Sequence, residues 1–273
     1  MTLATFEDAA LNIKSPSFSF NSLSGTLVVG RPWTPFYTAG FPGPAVAPSP
    51  GVAGTDNTFT SYPGQLAFPA TQSGQTIHLA KFLGMTTASV GTLVLADRIW
   101  HNSGLSATIT TSQTVNSNAW PPRDDNGTAD GEGVLVGMEV STATGAGTPA
   151  SLSLGYTNQA GTASRTGANI PAMGASLPIG TFYPFGMQAG DTGVRQINTF
   201  QINTTAWASG TIHLVAYRVI ETLEISAVGV PESRNIISGG LKRCWDGTIP
   251  YVFFIPGATT STQIFAHTIF TQK

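Results

Sequence analysis

From residue 64 to the C-terminus, short apolar runs alternate with polar positions and are separated by turn-forming residues. The runs end at Gly, Pro, Asn or Ser, as in "GTLVLADRIWHNSG" and "EGVLVGMEVSTATGAGTP". This spacing is typical of a sandwich or barrel and does not fit alternating strands and helices. The absence of a repeat of fixed period argues against a propeller or a solenoid. We therefore predict an all-β fold, with a β-sandwich or jelly-roll-like domain.

Three segments predict β-hairpins, because each contains two alternating runs around a turn. The first turns at Ser209-Gly210, the second turns between Asn158 and Gly161, and the third closes the chain over residues 251–273. After Gly210 both alternating faces are apolar, so this strand is predicted to be central and covered on both sides. The second hairpin is polar, which indicates an edge or solvent-facing ribbon.

One short helix is predicted before the β-rich region, over residues 5–13. Thr5 can serve as its N-cap, and Glu7 and Asp8 fall in its first turn. The other segments carry no comparable helical signal. We therefore expect at most one short helix, at the N-terminal end.

A proline-rich segment at residues 31–54 follows, with six prolines in nineteen positions. Proline fixes φ and donates no hydrogen bond, so the segment cannot be a helix or a central strand. We predict an N-terminal segment with an extended arm at residues 1–60 and a β-sandwich domain at residues 61–273.

The arm carries four aromatic side chains that are too apolar for a flexible linker. They either pack on the chain's own domain or form a protein interface with a neighbouring subunit, and the sequence leaves both open. The candidate interface residues are Trp33, Phe36, Tyr37 and Phe41.

The surface is predicted to be poor in charge, since only 10% of residues are charged and threonine alone occurs 37 times. The net charge of −2 comes without a cationic stripe, which argues against binding nucleic acid or an acidic membrane. No window approaches 18 apolar residues, and the N-terminal stretch lacks a secretory signal pattern. We expect a soluble protein that is made in a cytoplasm and contacts no membrane.

The stretch "RDDNGTADGEG" holds four of the fourteen acidic residues in eleven positions. It does not match an EF-hand loop in the register of either of its first two aspartates. A different calcium site could use Asp124, Asp125 and Asp130, but Asn-Gly and Asp-Gly are strong turn dipeptides. We favour a polar loop between strands and predict no metal.

The remaining candidates for chemistry do not form a recognisable active site. Asp97, Glu139, Glu221 and Glu224 could be glycosidase carboxylates, yet structural ion pairs or exposed strand positions explain them more simply. The four histidines lack zinc spacing, and Cys244 is read as a small buried hydrophobe. We predict no enzymatic activity and no cofactor.

The segments "LADRIWHNSGLSATITTSQTV", "EGVLVGMEVSTATGAGTP", "SLSLGYTNQAGTASRTG" and "IFAHTIFTQ" resemble β-rich virion proteins of tailed bacteriophages. The resemblance implies a structural protein bound to the head, neck or tail of the virion, assembled in the host cytoplasm. Among these, a head decoration (cement) protein is favoured. It implies self-association, as a homotrimer by analogy, and contact with the major capsid protein.

Two other hypotheses remain open from the sequence. A tail, baseplate or receptor-binding component could bind carbohydrate by stacking sugars on exposed Trp100, Trp120 or Trp207. A hydrolase would require the carboxylates of the candidate set to act as a pair.

Overall fold

The structure, a computed structural model, describes residues 5–23, 25–47, 63–102, 104–115, 117 and 120–273. It confirms the all-β class and the β-sandwich, whereas the jelly-roll likeness stays a prediction. No helix within these ranges is long and apolar enough to cross a membrane. In chain order the elements are α1 (Phe6–Leu11), β1 (Ile13–Ser22), β2 (Gly40–Phe41), β3 (Ile77–Thr86), β4 (Gly91–His101), β5 (Leu105–Ser106), β6 (Gln113–Thr114), β7 (Val134–Thr142), β8 (Ser151–Asn158), β9 (Arg165–Asn169), β10 (Phe182–Gly186), β11 (Val194–Asn203), β12 (Thr211–Ile225), β13 (Glu232–Asn235), α2 (Ile236–Gly239), β14 (Lys242–Cys244), β15 (Pro250–Pro256) and β16 (Gln263–Gln272).

The predicted N-terminal helix is confirmed as α1. The Thr5 hydroxyl accepts a hydrogen bond from the Asp8 backbone N–H at 3.1 Å, as expected of an N-cap. The sequence did not predict α2, which has four residues and therefore no apolar periodicity to read. A capping box between Asn235 and Ser238 holds this helix in place.

The first of two compact units comprises Met1–Val46, Thr58–Asp97 and Val219–Lys273, and it is a β-sandwich. One layer has the strand order β13-β3-β16-β1-β2, with β14 also paired to β3. The other layer contains β15 and the parts of β4 and β12 that belong to this unit. Side chains from both layers form one buried cluster that includes Phe82, Leu95, Leu223, Phe254 and Phe270.

The described part of the proline-rich segment, residues 31–47, is built into this first unit. Trp33 and Phe254 form an antiparallel bridge in which each N–H donates to the other residue's carbonyl at 2.8 Å. The Thr34 hydroxyl donates to the carbonyl of Val252 at 3.1 Å. These bonds tie the segment to β15.

The observed units differ from the predicted division at residue 60. β1 pairs antiparallel with β16 from Ile13 to Ser22, so the N-terminal segment supplies a strand of the sandwich. The sequence could not reveal this pairing, because the two strands lie at opposite ends of the chain. Residues 48–62, with the remainder of the arm and the predicted boundary, lie outside the described residues.

The second unit comprises Ala47–Asn57 and Arg98–Arg218. One layer contains β7 between β12 and β10, and the other has the order β10-β9-β8-β11-β6. β10 joins the layers, because Phe182–Pro184 pair with β7 while Phe185 and Gly186 pair with β9. Inward side chains of both layers form a second buried cluster, which includes Val136, Leu154 and Phe200.

One predicted hairpin is confirmed and two are wrong. β8 pairs with β9, as predicted for the turn after Asn158, although β8 also pairs with β11 and is not an edge. β11 does not pair with β12, and β15 pairs with β4 whereas β16 lies between β1 and β3. In both wrong cases the connection crosses between layers. The prediction that the strand after Gly210 is covered on both faces is confirmed, since Ile212 to Tyr217 are all buried.

Candidate protein interface

The acidic stretch "RDDNGTADGEG" is a loop organised around Asp124. One oxygen of this carboxylate accepts the N–H groups of Asn126 at 3.0 Å and Thr128 at 2.7 Å. The other accepts the Thr128 hydroxyl at 2.6 Å and the N–H groups of Gly131 and Glu132 at 3.0 and 3.2 Å. Burial raises the pKa of Asp124, but these hydrogen bonds outweigh it and hold the pKa below its usual value. Asp124 therefore acts as a structural anchor of the loop.

The other two aspartates considered for calcium face cations of the chain itself. Asp125 lies 3.6 Å from the guanidinium of Arg218, and Asp130 lies 3.3 Å from that of Arg195. The oxygens of Asp124 are already occupied by hydrogen-bond donors. Across the part of the chain that the structure describes, no group of three or more His, Cys, Asp or Glu is arranged to hold a metal. The geometry favours an inter-strand loop.

Glu139, one of the candidate carboxylates, forms a buried bidentate ion pair with Arg98. The two guanidinium nitrogens donate to its two oxygens at 2.8 and 2.7 Å, and both side chains are fully buried. The third nitrogen of Arg98 donates to Nδ1 of His101 at 2.8 Å. Arg123 donates to the backbone carbonyl of Arg98 at 2.9 Å. This arrangement gives Glu139 a structural role.

Two of the other three candidate carboxylates, Asp97 and Glu221, also have local partners, and the third, Glu224, is exposed. Asp97 accepts the N–H of Ile249 at 2.9 Å and the hydroxyl of Thr248 at 3.3 Å. Glu221 accepts the N–H of Thr222 at 3.0 Å. The contacts of both residues are structural, but they are hydrogen bonds, whereas the sequence favoured an ion pair with Arg98 for Asp97 and one with Arg218 for Glu221.

His213 pairs with Ser141 in a geometry that superficially resembles a hydrolase dyad. Its Nε2 lies 2.5 Å from the Ser141 hydroxyl, and its Nδ1 lies 3.1 Å from the carbonyl of Asn102. The Nδ1–H donates to that carbonyl, so Nε2 accepts from the serine. Burial lowers the pKa of His213 to about 4, which makes the imidazole a weak base at neutral pH. The pair fits a structural hydrogen bond between β7 and β12 better than an activated nucleophile.

Acid should destabilise the second unit, because its buried histidines are held neutral. Burial, assisted by Arg98, lowers the pKa of His101 well below 6.5 and that of His213 to about 4. At His213 the negative charge of Glu139 acts in the opposite direction and raises the pKa. The unfolded chain binds protons near pH 6.5, whereas the folded chain does not. The contribution of the neutral histidines to the free energy of unfolding is therefore full above pH 6.5 and is lost as the pH falls toward 4. For His213 alone this amounts to about 3 kcal/mol.

Urea unfolding at pH 8 and at pH 4.5 measures this loss. The difference in the free energy of unfolding between the two pH values should shrink in His213→Gln. It should persist in the control His267→Gln, which changes a half-buried histidine on a sheet face. Equal free energies of unfolding at the two pH values would contradict the explanation.

The three tryptophans considered as sugar-stacking platforms are buried in the core of the second unit. The rings of Trp100 and Trp120 pack at a centroid distance of 6.1 Å, and the Trp207 indole N–H donates to the Gly174 carbonyl at 3.1 Å. A stacked sugar requires an exposed ring face. The prediction that these rings bind carbohydrate is therefore wrong for this fold.

Three of the four aromatic residues of the arm lie inside the first unit. Trp33, Phe36 and Tyr37 are buried, and Phe36 packs edge-on against Tyr251 at 5.8 Å. Phe41 differs from them, because 61% of its surface is exposed. The interface prediction can therefore apply only to Phe41 in this folded state.

Phe41 belongs to a row of apolar side chains across four strands of the first unit. The strand register pairs Met85 with Phe265, Phe265 with Phe20, and Phe20 with Phe41. The rings of Phe20 and Phe265 stack at 4.6 Å. The row lies on the face of the β3-β16-β1-β2 layer that points away from the buried cluster.

A second row runs beside the first and consists of Leu83, His267 and Phe18. The Phe18 ring is 46% exposed and lies 6.3 Å from the rings of both Phe41 and Phe265. We refer to the apolar members of the two rows as the aromatic face, which contains Phe18, Phe20, Phe41, Leu83, Met85 and Phe265. None of the six side chains is charged. A surface of this kind is typical of protein contacts.

Comparison with known proteins identified no family. No protein family model matches the chain, and no curated protein matches it. Among solved structures, it is loosely similar to proteins of virus particles. The crystal structure of the infectious bursal disease virus VP2 subviral particle is 9% identical, with a TM-score of 0.22 over 99% of this chain and 83% of that chain. The structure of the Gx strain of that virus is 11% identical, with a TM-score of 0.20 over 94% and 60%. Scores this low establish neither a shared fold nor a shared function.

Proposed function

We propose that the protein is a non-enzymatic structural protein of a virus particle, and more specifically a head decoration (cement) protein of a tailed phage. The observation that carries the proposal is the exposed, uncharged aromatic face of the first unit. Through this face the protein would bind the capsid surface and stabilise the contacts between capsid subunits.

The energetics of the aromatic face support a binding role. Covering the exposed parts of Phe18 and Phe41 with apolar atoms would contribute about 1 kcal/mol for each ring. The Phe20 and Phe265 rings stack on each other on β1 and β16, which are the two inner strands of the β3-β16-β1-β2 layer. The stacking already restricts both side chains, so little side-chain entropy remains to be lost on binding. The face is therefore preorganised for a static contact.

The low charge of the chain is consistent with the same role. Charged residues are depleted at the centre of protein interfaces and aromatic residues are enriched there. The resemblance of the β-rich segments to virion proteins supplies the class of assembly. We propose a homotrimer as the bound form, with the major capsid protein as its partner.

A deletion of residues 31–54 would not separate a role of the arm in binding from its role in folding. The deletion would remove Trp33, Phe36 and Tyr37 from the interior of the first unit and break the bridge to Phe254. Loss of binding would then report unfolding. Substitutions confined to exposed positions of the aromatic face avoid this difficulty.

The variant Phe18→Ser/Phe41→Ser should bind phage heads at least about tenfold more weakly than the original chain, because both exposed rings are removed. Its thermal melt should change little, since surface substitutions usually alter stability by less than about 0.5 kcal/mol. Binding is measured by co-sedimentation with heads purified from the phage that carries the gene.

Ile170→Ser is the matched control, because this exposed isoleucine lies in the second unit. Its binding should equal that of the original chain. Immunogold labelling of whole particles supplies the location. Label on the tail would support a tail or baseplate component, and normal binding by the double variant would remove the aromatic face from the proposal.

A further inference from the structure

An apolar pocket of about 240 Å³ opens at the end of the β13-β3-β16-β1-β2 layer of the first unit, beside α1 and α2. Ala9 and Ala10 of α1, Ile237 of α2 and Ile269 of β16 line it, and Lys81 of β3 is the charged residue in its wall. An apolar cavity of about 150 Å³ can hold a benzene ring, so this pocket can receive a leucine side chain.

The helix that forms one wall of the pocket is anchored to β16. The Thr271 hydroxyl donates to the carbonyl of Ala9 at 2.9 Å, and Lys273 forms an ion pair with Asp8. These bonds fix the position of α1 beside the pocket. The wall is therefore part of the folded unit.

The rim of the pocket favours a protein as its occupant. Ile13 and Ile237 line the opening and are 53% and 77% exposed, and Leu11, which lies between Ala10 and Ile13 in the chain, is 75% exposed. A small molecule of the size of the cavity would leave these side chains in water. A protein surface can cover the rim and fill the pocket together.

Two charged side chains, that of Lys81 in the pocket wall and that of Glu7 on α1, have no counter-ion within the described part of the chain. The ammonium group of Lys81 forms no hydrogen bond or ion pair there, and neither does the carboxylate of Glu7. Glu7 and Leu11 are four residues apart on α1, so they lie on one side of the helix. The helix thus presents an apolar side chain and a carboxylate, and the pocket offers an apolar cavity and an ammonium group.

We propose that this surface binds a second copy of the chain across a two-fold axis. Leu11 of each copy enters the pocket of the other copy, and Glu7 of each copy pairs with Lys81 of the other. A two-fold contact requires that one patch be complementary to itself, and here Leu11 and the pocket-lining Ala9 and Ala10 belong to the same helix. This contact is separate from the aromatic face and from the three-fold contacts of the proposed homotrimer, and it does not depend on the proposed function.

The test exchanges the two charges. Glu7→Lys and Lys81→Glu each place like charges together at both ends of the contact. Each variant alone should weaken pairing by at least about tenfold and halve the particle mass seen by sedimentation equilibrium. An equimolar mixture of the two variants should restore the original mass, because every position 7 then faces an opposite charge at position 81. Leu11→Ser should also halve the mass.

Lys242→Glu is the control for charge reversal, since this exposed lysine belongs to the same sheet layer but does not line the pocket. It should leave the mass unchanged, as should Phe18→Ser/Phe41→Ser. Single variants that keep the original mass, or a mixture that behaves no better than its components, would overturn the proposal. If the original chain forms pairs but does not bind phage heads, the result counts against the proposed function alone.

Discussion

Replacing Glu139 with glutamine should lower the free energy of unfolding by about 3 to 5 kcal/mol. The glutamine has nearly the same shape but leaves the guanidinium of Arg98 buried without an opposite charge. Both side chains are fully inaccessible, so water cannot solvate the remaining charge. Urea unfolding at neutral pH measures the loss. Glu224→Gln, at an exposed position of β12, serves as control for removing one glutamate charge and should change stability by less than about 0.5 kcal/mol.

The double variant Arg98→Met/Glu139→Leu separates charge burial from packing. Neither charge remains in it, so much of the stability lost in Glu139→Gln should return. If Glu139→Gln is as stable as the original chain, the ion pair does not have the structural role assigned to it.

Replacing Asp124 with alanine should cost about 3 kcal/mol, because five hydrogen bonds to its carboxylate are lost together. The four backbone N–H groups would lose their acceptor, and the loop from Asp124 to Glu132 would lose its centre. The same unfolding measurement applies, and hydrogen exchange should report faster exchange at Thr128 and Gly131.

Asp130→Ala is the matched control within the same loop. Its carboxylate is 57% exposed and faces the half-exposed Arg195, so its removal should cost about 0.5 kcal/mol or less. Equal losses in the two variants would show that the loop depends on total charge and not on the anchor at Asp124.

The identity of single elements was well predicted by local pattern. Thr5, Glu7 and Asp8 predicted α1 because capping is a contact between neighbours in sequence. Alternation on both faces predicted that β12 is buried on both sides, and the dipeptides of the acidic stretch predicted a loop. Each of these features depends on a few consecutive residues.

The pairing of elements was predicted less well. Two hairpins were wrong because a short connection can cross between layers as easily as it can reverse within one layer. The N-terminal segment was separated from the β-sandwich domain because its partner strand, β16, lies some 240 residues away in the chain, as the pair Phe20 and Phe265 shows.

The candidate site was predicted only in part, through Phe41. "SFSF" and "TQIFAHTIF" show alternating aromatic residues, but alternation does not say which face is covered. The register of β1, β2, β3 and β16 decided that these rings share the outer face. The tertiary structure likewise decided that Trp33, Phe36 and Tyr37 pack inside the chain's own first unit, which the sequence had left open against an interface with a neighbouring subunit.

The sequence by itself determined the all-β class, the short N-terminal helix and the acidic loop, since these follow from residue type and local spacing. Only the tertiary structure decided which strands pair, which aromatic rings remain in water, and that Arg98 meets Glu139. Those outcomes depend on contacts between residues far apart in the chain, and the free energy that selects them comes from burial and pairing in the assembled sheets.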